Sequence, residues 1–570
     1  MIDRLHHRGW HYVLLIALSA IMFFLNLGGP TLWDIDEGCY AGCAVEMMEA
    51  GNWIVPTFNG QFYVHKPVLL YWLQILSYMG FGVNEFAARF PSAVAALATV
   101  LLAYELARSM FTRTTGLIAG VIVVSTPMMC GAARFANQDS LLNFLTVLTL
   151  TVFWMGLAER RWWWFLLLGV ASGLAVLTKG PVGIVLPGAV ITLFFLWQRQ
   201  LYLLWDRRLA IAVGSFVLTA IPWFILVNIE TRGEFLTGFL WTHNIDRGLT
   251  AMESHAGFPG YYLVVLIVGT APWSIFLMLG CWFGFWSAIR CPWLFCQNWW
   301  ARTSEVGAHE TENSLTDKPA AYRLLACWIL VYLLAFSIAA TKLPNYILPA
   351  VVPCALLIAR FLQRWRTGSA QIPNWLVHLG VVVLALIGVF VFGLVTIVGG
   401  TGELSILRDR DFPGMENWAF LGAIPIAAAA ACWWFARTRE YGRFIATLAT
   451  CAILLLGPIG AFGSILFNRC KAPQSLVAET VTSRPHEDIR IGCWRMEHLP
   501  SLNFYLRRDV EYLYDENALA NFLKSRLPVY VFIPLADWQD MKGALGASTR
   551  VLGQHHDMYH HVDVIVVTNR

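Results

Sequence analysis

Carboxylates and cations in this chain collect in a few short stretches between long apolar runs, and those stretches bound the chemistry it can do. Asp34, Asp36 and Glu37 stand almost side by side, and His65-Lys66 follows later in the same inter-segment stretch. Arg134 and Asp139 flank a further boundary, and Lys179 sits in the tight turn Thr178-Lys179-Gly180-Pro181. His243, Arg247, Glu253 and His255 share one loop, and Lys342 and Tyr346 another. A carboxylate can orient a substrate or take its proton, and a fixed lysine or arginine can hold an anion. Each residue also has a plainer reading. Asp36 and Glu37 are compatible with a solvated loop, Arg134 with Asp139 with an ion pair at a helix end, Lys179 and Lys342 with snorkelling to headgroups, and His65 and His255 with ordinary loop histidines. Asp34-Ile35-Asp36 has the D-x-D spacing of some metal sites, a weak pattern on three residues.

The elements that must position these groups lie in a membrane. Of 570 residues, 58% are hydrophobic and 13% charged, against about 25% charged in soluble domains, and the mean hydropathy is +0.58. Apolar segments fall at 12–27, 88–107, 115–132, 141–158, 163–178, 181–197, 209–228, 261–286, 324–340, 345–362, 375–399, 418–435 and 444–466. The first is read as a retained helix rather than a signal peptide, because no small-residue cleavage site follows it. The net charge of +4 is dealt out in twos and threes between segments, the pattern of topogenic charges, which argues against nucleic acid as a partner. The 26 tryptophans cluster at segment ends, as in an interfacial belt. Most of the 12 cysteines fall inside apolar runs. Cys39 and Cys43 are poorly spaced for a disulfide, whereas Cys470 and Cys493 could pair in an extracytoplasmic tail.

With the first residues inside, loops on the cytoplasmic side carry roughly twice as many Lys and Arg as the opposite loops, as the positive-inside rule requires. An odd number of spans then puts the tail outside, on the same side as every candidate residue named above. Pro67–Met79 is excluded as a span, because its helix of about 20 Å is too short for a ~30 Å core. It is expected to lie in the interface, as is a second helix with the stripe Tyr40, Cys43, Ala44, Met47 and Met48. The expected architecture is therefore mainly α and polytopic. A transmembrane catalytic domain over 1–466 contains a structured external loop at 28–87, and a small α/β domain follows over 467–570. Strands are expected near 488–496, 529–535 and 562–568, with helices near 518–525 and 535–544. Asp36 rather than Asp34 is expected to be the essential carboxylate, because it opens the helix that begins after it, while Asp34 should be looser. A transporter is the rival class, disfavoured because few ionisable groups lie mid-span.

The string DEGCYAGCAVEMMEAGNWIVPTFNGQFYVHKPVLLYW beginning at Asp36 resembles the first-loop signature of GT-C glycosyltransferases of the lipid A aminoarabinose transferase and protein O-mannosyltransferase group. RFANQDSLLNF at 134–144, LTKGPVGIVLP at 177–187, FPGYYLVVLIVGTAPWS at 258–274 and TKLPNYILP at 341–349 follow in the order of that family. Two positions depart from it: Cys39 stands where many aminoarabinose transferases have Arg, and His65 where Glu is frequent. The resemblance implies an inverting transfer of a sugar, such as 4-amino-4-deoxy-L-arabinose, from undecaprenyl or another polyprenyl phosphate. The acceptor would be lipid A or a related envelope glycolipid at the periplasmic face of the bacterial inner membrane. Protein O-glycosylation is the alternative acceptor chemistry, and a lipid-linked-sugar flippase the alternative class. Asp36 and Asp139 match the family's acids; Lys66 and Lys342, with Arg134, are assigned to the donor phosphate. Tyr40, Tyr63 and Tyr346, with Glu37 and Arg247, are assigned to the substrate cavity. No cofactor is expected for the chemistry, while His65 and His255 are expected as ligands of a structural divalent metal such as zinc.

Overall fold

The structure, a computed structural model, describes residues 8–34, 36–241, 257–290, 318–400, 415–480, 488–496, 499–545 and 549–570. Every expected apolar segment reappears as helix, but not every one at spanning length. Ten described helices are long and apolar enough to cross a membrane, among them Glu85–Met110, Gln138–Glu159, Trp162–Lys179 and Pro344–Arg366. An eleventh crossing is broken: Arg113–Val124 and Pro127–Ala133 meet at 65°. Pro127 cannot continue the hydrogen-bond ladder and instead starts the second half at its first position. Ser125 fills the gap, its Oγ donating to the Val121 carbonyl at 2.5 Å and accepting Trp273 Nε1 at 3.0 Å. Val182–Trp197 has 16 residues and Gly9–Phe24 is similarly short. Each rises about 24 Å, less than a ~30 Å hydrocarbon core. The segment expected at 261–286 is divided into Tyr261–Gly269 and Trp273–Arg290.

Between the short first helix Gly9–Phe24 and the span Glu85–Met110 the chain builds helix Glu37–Glu49, a hairpin of β1 (Thr57–Phe58) and β2 (Gln61–Phe62), and helix Leu69–Phe81. The apolar stripe of the first helix is buried as expected, but against protein rather than lipid. Tyr40, Cys43, Ala44 and Met47 join a cluster with Leu70, Tyr71 and Ile75 from the second helix and Phe504 from the tail. The second helix leaves Leu76, Met79 and Phe81 exposed, so it alone keeps an outward apolar face suited to an interface.

The tail forms one sheet of β3 (Arg490–Trp494), β4 (Val510–Leu513), β5 (Val529–Pro534), β6 (Arg550–Asp557) and β7 (Val562–Thr568), in the order β4-β3-β5-β7-β6. β3 pairs parallel with β4 and β5, and β7 pairs antiparallel with β5 and β6. Two strands, β4 and β6, lie where none was expected: one is four residues long and the other carries Gln554, His555 and His556 in place of alternating apolar residues. Cys470 and Cys493 are both buried and no disulfide joins them, so they are not the expected pair. Cys493 Sγ instead meets the Met496 carbonyl at 3.3 Å.

One buried ion pair ties these parts together. Arg89, inside helix Glu85–Met110, is 2% exposed, and its partner Glu37 is 0% exposed. Arg89 Nε and Nη2 donate to the two Glu37 oxygens at 2.9 and 2.7 Å, while its other bonds go to the carbonyls of Leu27, Pro30 and Thr31. All five guanidinium donors are thereby used. Glu37 also accepts the Trp33 and Ala136 amides at 3.0 and 2.6 Å. Burial pushes its carboxyl up, but the Arg89 charge and these bonds outweigh that and hold it below its ordinary range.

Removing one member of such a pair strands a buried charge, which costs about 3–5 kcal/mol. Arg89→Ala should therefore lower the thermal midpoint and the folded yield in detergent, and Arg89→Lys should not restore them, since lysine lacks the bidentate fork. Wild-type melting of Arg89→Ala would refute the hub.

Candidate active site

Four chain segments bring polar groups to one end of the bundle. Asp139 lies in the first turn of Gln138–Glu159, set there by Asn137, whose side chain accepts the Asp139 amide at 3.1 Å. Lys179 is the last residue of Trp162–Lys179. The chain can leave that helix because residue 180 is glycine: its φ is +81°, and a Cβ there would fall 2.4 Å from the Phe239 ring. Asn345 and Tyr346 sit in the 3₁₀ turn Pro344–Ile347. Lys66 comes from the loop before Leu69–Phe81.

These residues surround a cavity of about 170 Å³. Lys66, Asp139, Lys179, Asn345 and Tyr346 supply its polar wall, and Leu142, Val182, Phe239 and Phe336 are among its apolar lining. Asp139 is held from two sides, by the Lys179 ammonium and by the Asn345 amide. The Lys179 nitrogen also stands 5.0 Å from the Tyr346 ring centre. Asp36, the residue preceding helix Glu37–Glu49, is exposed and does not line the cavity, but lies within reach of its charges. Burial and the nearby Asp139 push it above its ordinary range, against the pull of Lys66, Lys179 and the Tyr40 hydroxyl, which donates to it at 3.4 Å. The site thus couples two carboxylates to two lysines beside an apolar wall. That arrangement can neutralise an anion and accept a proton within one charge network.

Not every residue expected here arrives. Glu37 does not line the cavity, being consumed by Arg89. Arg134 instead faces the end of the first helix, its guanidinium donating to the carbonyls of Met22, Phe23, Leu25 and Asn26 at 2.9–3.4 Å. The Lys342 ammonium binds the Ser337 and Ala339 carbonyls at 2.8 and 2.9 Å, a helix end again, and is absent from the lining. Tyr40 and Tyr63 stand behind Asp36 as an edge-on ring pair 6.4 Å apart. His65 stacks on Tyr63 at 4.4 Å. Arg247 and His255 lie outside the described residues, and among the described residues no group of three His, Cys, Asp or Glu is placed to hold a metal. Asn345 has no role in the sequence reading, and Lys179 figures there only among the cations able to hold an anion, not among the residues assigned to the donor phosphate. Both sit in Gly- or Pro-marked turns after long helices, which is where a signal was available.

Asp34 reverses its expectation. It is 5% exposed, with Oδ1 accepting the Ser501 amide at 2.8 Å and its own amide donating to Tyr559 Oη at 3.1 Å. It is therefore the tightly held carboxylate of the pair, pinned to the tail, and Asp36 the more open one. The tail closes on this loop along a wider front. Asn59 exchanges hydrogen bonds with Val510, and the Leu32 amide donates to Tyr505 Oη at 2.9 Å. Gly38 permits the contact, since a Cβ there would lie 2.5 Å from the Ser501 nitrogen.

A family model described as dolichyl-phosphate-mannose-protein mannosyltransferase matches residues 10–233. An undecaprenyl phosphate-alpha-4-amino-4-deoxy-L-arabinose arabinosyl transferase from Pseudomonas aeruginosa (strain UCBPP-PA14) is 33% identical over 381 residues, 65% of this chain and 64% of that protein. The protein of the same name from Edwardsiella ictaluri (strain 93-146) is 29% identical over 378 residues, 65% of this chain and 63% of its own. The chain thus spans less than two thirds of the length of these relatives. The crystal structure of ArnT from Cupriavidus metallidurans bound to undecaprenyl phosphate superposes with a TM-score of 0.78 at 22% identity, covering 99% of this chain and 98% of that one. That likeness shows a shared fold, the GT-C architecture the resemblance implied.

Burial pushes Asp34 up to about 7 from an ordinary 3.8, with Asp557 adding to the shift and Ser501 and Lys471 opposing it. Its Oδ2 has no hydrogen-bond partner among the described residues. The docked carboxyl then holds a proton that the undocked one releases, so docking is favoured at low pH and loses that contribution as pH rises from about 4 to 7. Hydrogen exchange at residues 499–506, corrected for intrinsic rates, should be faster at pH 8 than at pH 5.5, and Asp34→Asn should flatten the difference. Equal protection of the wild type at both pH values would overturn the assignment.

Proposed function

We propose that this chain, an aminoarabinose-transferase-like membrane protein of the GT-C fold, transfers a sugar from a polyprenyl-phosphate carrier to lipid A or a related envelope glycolipid. The observation that carries the reading is the grouping of Asp139, Lys66 and Lys179 at an apolar-walled cavity, with Asp36 near enough to feel all three charges. The named relatives support undecaprenyl phosphate as the carrier and 4-amino-4-deoxy-L-arabinose as the sugar. Site and tail share one end of the bundle, which the charge asymmetry of the loops assigns to the periplasmic side of the inner membrane.

In this reaction the acceptor oxygen attacks the anomeric carbon while the carrier leaves as a phosphate. The departing charge falls to Lys66 and Lys179, fixed cations that need no reorganisation as charge develops. Asp139 and Asn345 set where Lys179 stands. Asp36, its proton affinity raised by burial and by Asp139, takes the proton of a hydroxyl acceptor, or orients an acceptor phosphate that has none to give. Attack opposite the leaving phosphate inverts the anomeric centre. The apolar residues beside the charges suit the first isoprene units of the carrier. The family match over residues 10–233 favours a second reading, in which the acceptor is a protein hydroxyl.

Asp36→Asn should abolish transfer while donor-lipid binding survives, and Asp34→Asn should keep most activity at pH 6. Lys66→Ala and Lys179→Ala should each lower kcat about 10²–10³-fold, by analogy with removing an oxyanion-hole donor. Lys342→Ala should register in stability more than in turnover. Mass spectrometry of lipid A and of glycoproteins from a deletion strain decides the acceptor: loss of the lipid A substituent supports the first reading, and loss of a protein glycan replaces it with the second. A reporter fused after residue 570 should be active in the periplasm; activity in the cytoplasm would invert the orientation.

A further inference from the structure

At the end of the bundle away from Asp36 lies a larger cavity of about 580 Å³. The helix Pro344–Arg366 spans the distance: Asn345 at its start lines the first cavity and Trp365 at its finish lines the second, about 30 Å along the axis. Gln371, Asn374, His378, Arg437, Arg439 and Tyr441 supply polar groups to this second cavity, and among the described residues no carboxylate lines it.

The electrostatics are one-sided. Arg437 and Arg439 bring two formal positive charges, and neither forms an ion pair with a described carboxylate. Glu440, between Arg439 and Tyr441, is taken by Arg443 at 2.5 Å. Arg437 lies with its guanidinium carbon 3.9 Å from the Trp433 ring centre. That contact uses the face of the guanidinium and leaves its in-plane N–H groups for another acceptor. Asn374 and Tyr441 open helices of 27 and 22 residues, while Pro344–Arg366 and Ala423–Arg437 end at the same space, so the helix dipoles offset one another and the formal charge of the arginines sets its sign. Beside the cavity, Trp375 is 66% and Trp434 61% exposed, the aromatic signature of a membrane–water boundary.

We propose that this cavity binds the phosphate of an anionic ligand, supplied by a phospholipid headgroup of the leaflet opposite the transfer site. Two arginines with no acid among the described lining residues select an anion. The volume admits a headgroup, and the exposed tryptophans place the cavity where headgroups lie. A soluble phosphate has the same recognition chemistry but makes no use of the aromatic rim.

The test uses the full-length protein in detergent and native mass spectrometry, with phosphatidylglycerol, phosphatidylcholine and inorganic phosphate as the three probes. Wild type should retain phosphatidylglycerol about tenfold or more better than Arg437→Ala/Arg439→Ala, with phosphatidylcholine unaffected by the change. Gln371→Glu, a near-isosteric change at an exposed residue, puts a negative charge in the cavity and should weaken phosphatidylglycerol in the same direction, which covers a double variant that fails to fold. Sugar transfer in detergent should be unchanged in all of them. Equal retention of phosphatidylglycerol by wild type and Gln371→Glu would overturn the site. Arginine-dependent binding of inorganic phosphate as tight as that of phosphatidylglycerol would overturn the lipid as its source.

Discussion

The buried Glu37–Arg89 pair is the constraint on which the rest of the site depends. It joins the chain leaving the first helix, the helix of the first loop, the Glu85–Met110 span and the turn before Asp139 in one set of charge-assisted bonds. Asp36 precedes Glu37 directly. Fixing Glu37 inward fixes the first turn of its helix, and its neighbour is left exposed, close enough to Asp139, Lys66 and Lys179 to feel their charge. The carboxylate read as reactive is thus placed by one that has no contact with the cavity.

The cavity charges are arranged as a relay of pairings. Lys179 is engaged by Asp139, so burying it at the membrane edge does not leave a lone cation. On the proposed reading a carrier phosphate competes with Asp139 for that lysine, and Asn345 holds the carboxylate in place while the lysine is shared. A pair of this kind keeps each buried charge compensated, and the exchange of one partner for another suits a site that must bind one anion and release another.

Much of this architecture is legible in the sequence. Apolar runs of spanning length, the charge asymmetry of the loops and the short helix before Gly80 follow from simple length and composition arguments. The convergence of Asp36, Lys66, Asp139 and Tyr346 follows from their common side. The partners of individual charges are not legible. Glu37 and Asp36 are adjacent carboxylates, and nothing local says that one will meet an arginine 52 positions away. Lys179 and Lys342 each follow a long apolar helix, yet one turns to a carboxylate in the cavity and the other to two carbonyls. Arg134 is diverted in the same way. A cation near a helix end always has unsatisfied carbonyls within reach, so local pattern cannot separate a cap from a ligand. Asp34 fails for a related reason, since its partner Ser501 lies 467 residues on.

Those separations have a consequence for how the protein is made. The first loop donates hydrogen bonds to Asn468 and Tyr505 across 437 and 473 residues and accepts one from Ser501 across 467. At about 5–20 residues per second, roughly 20–90 s pass between synthesis of the loop and arrival of those partners. Through that interval the nascent chain holds Asp36 on an unfinished support, with the Asp34 side of the loop open. Assembly of the site therefore waits for the last part of the chain to be delivered to the same side of the membrane, and a molecule whose tail is stranded on the other side has its charged residues but not the platform that aligns them.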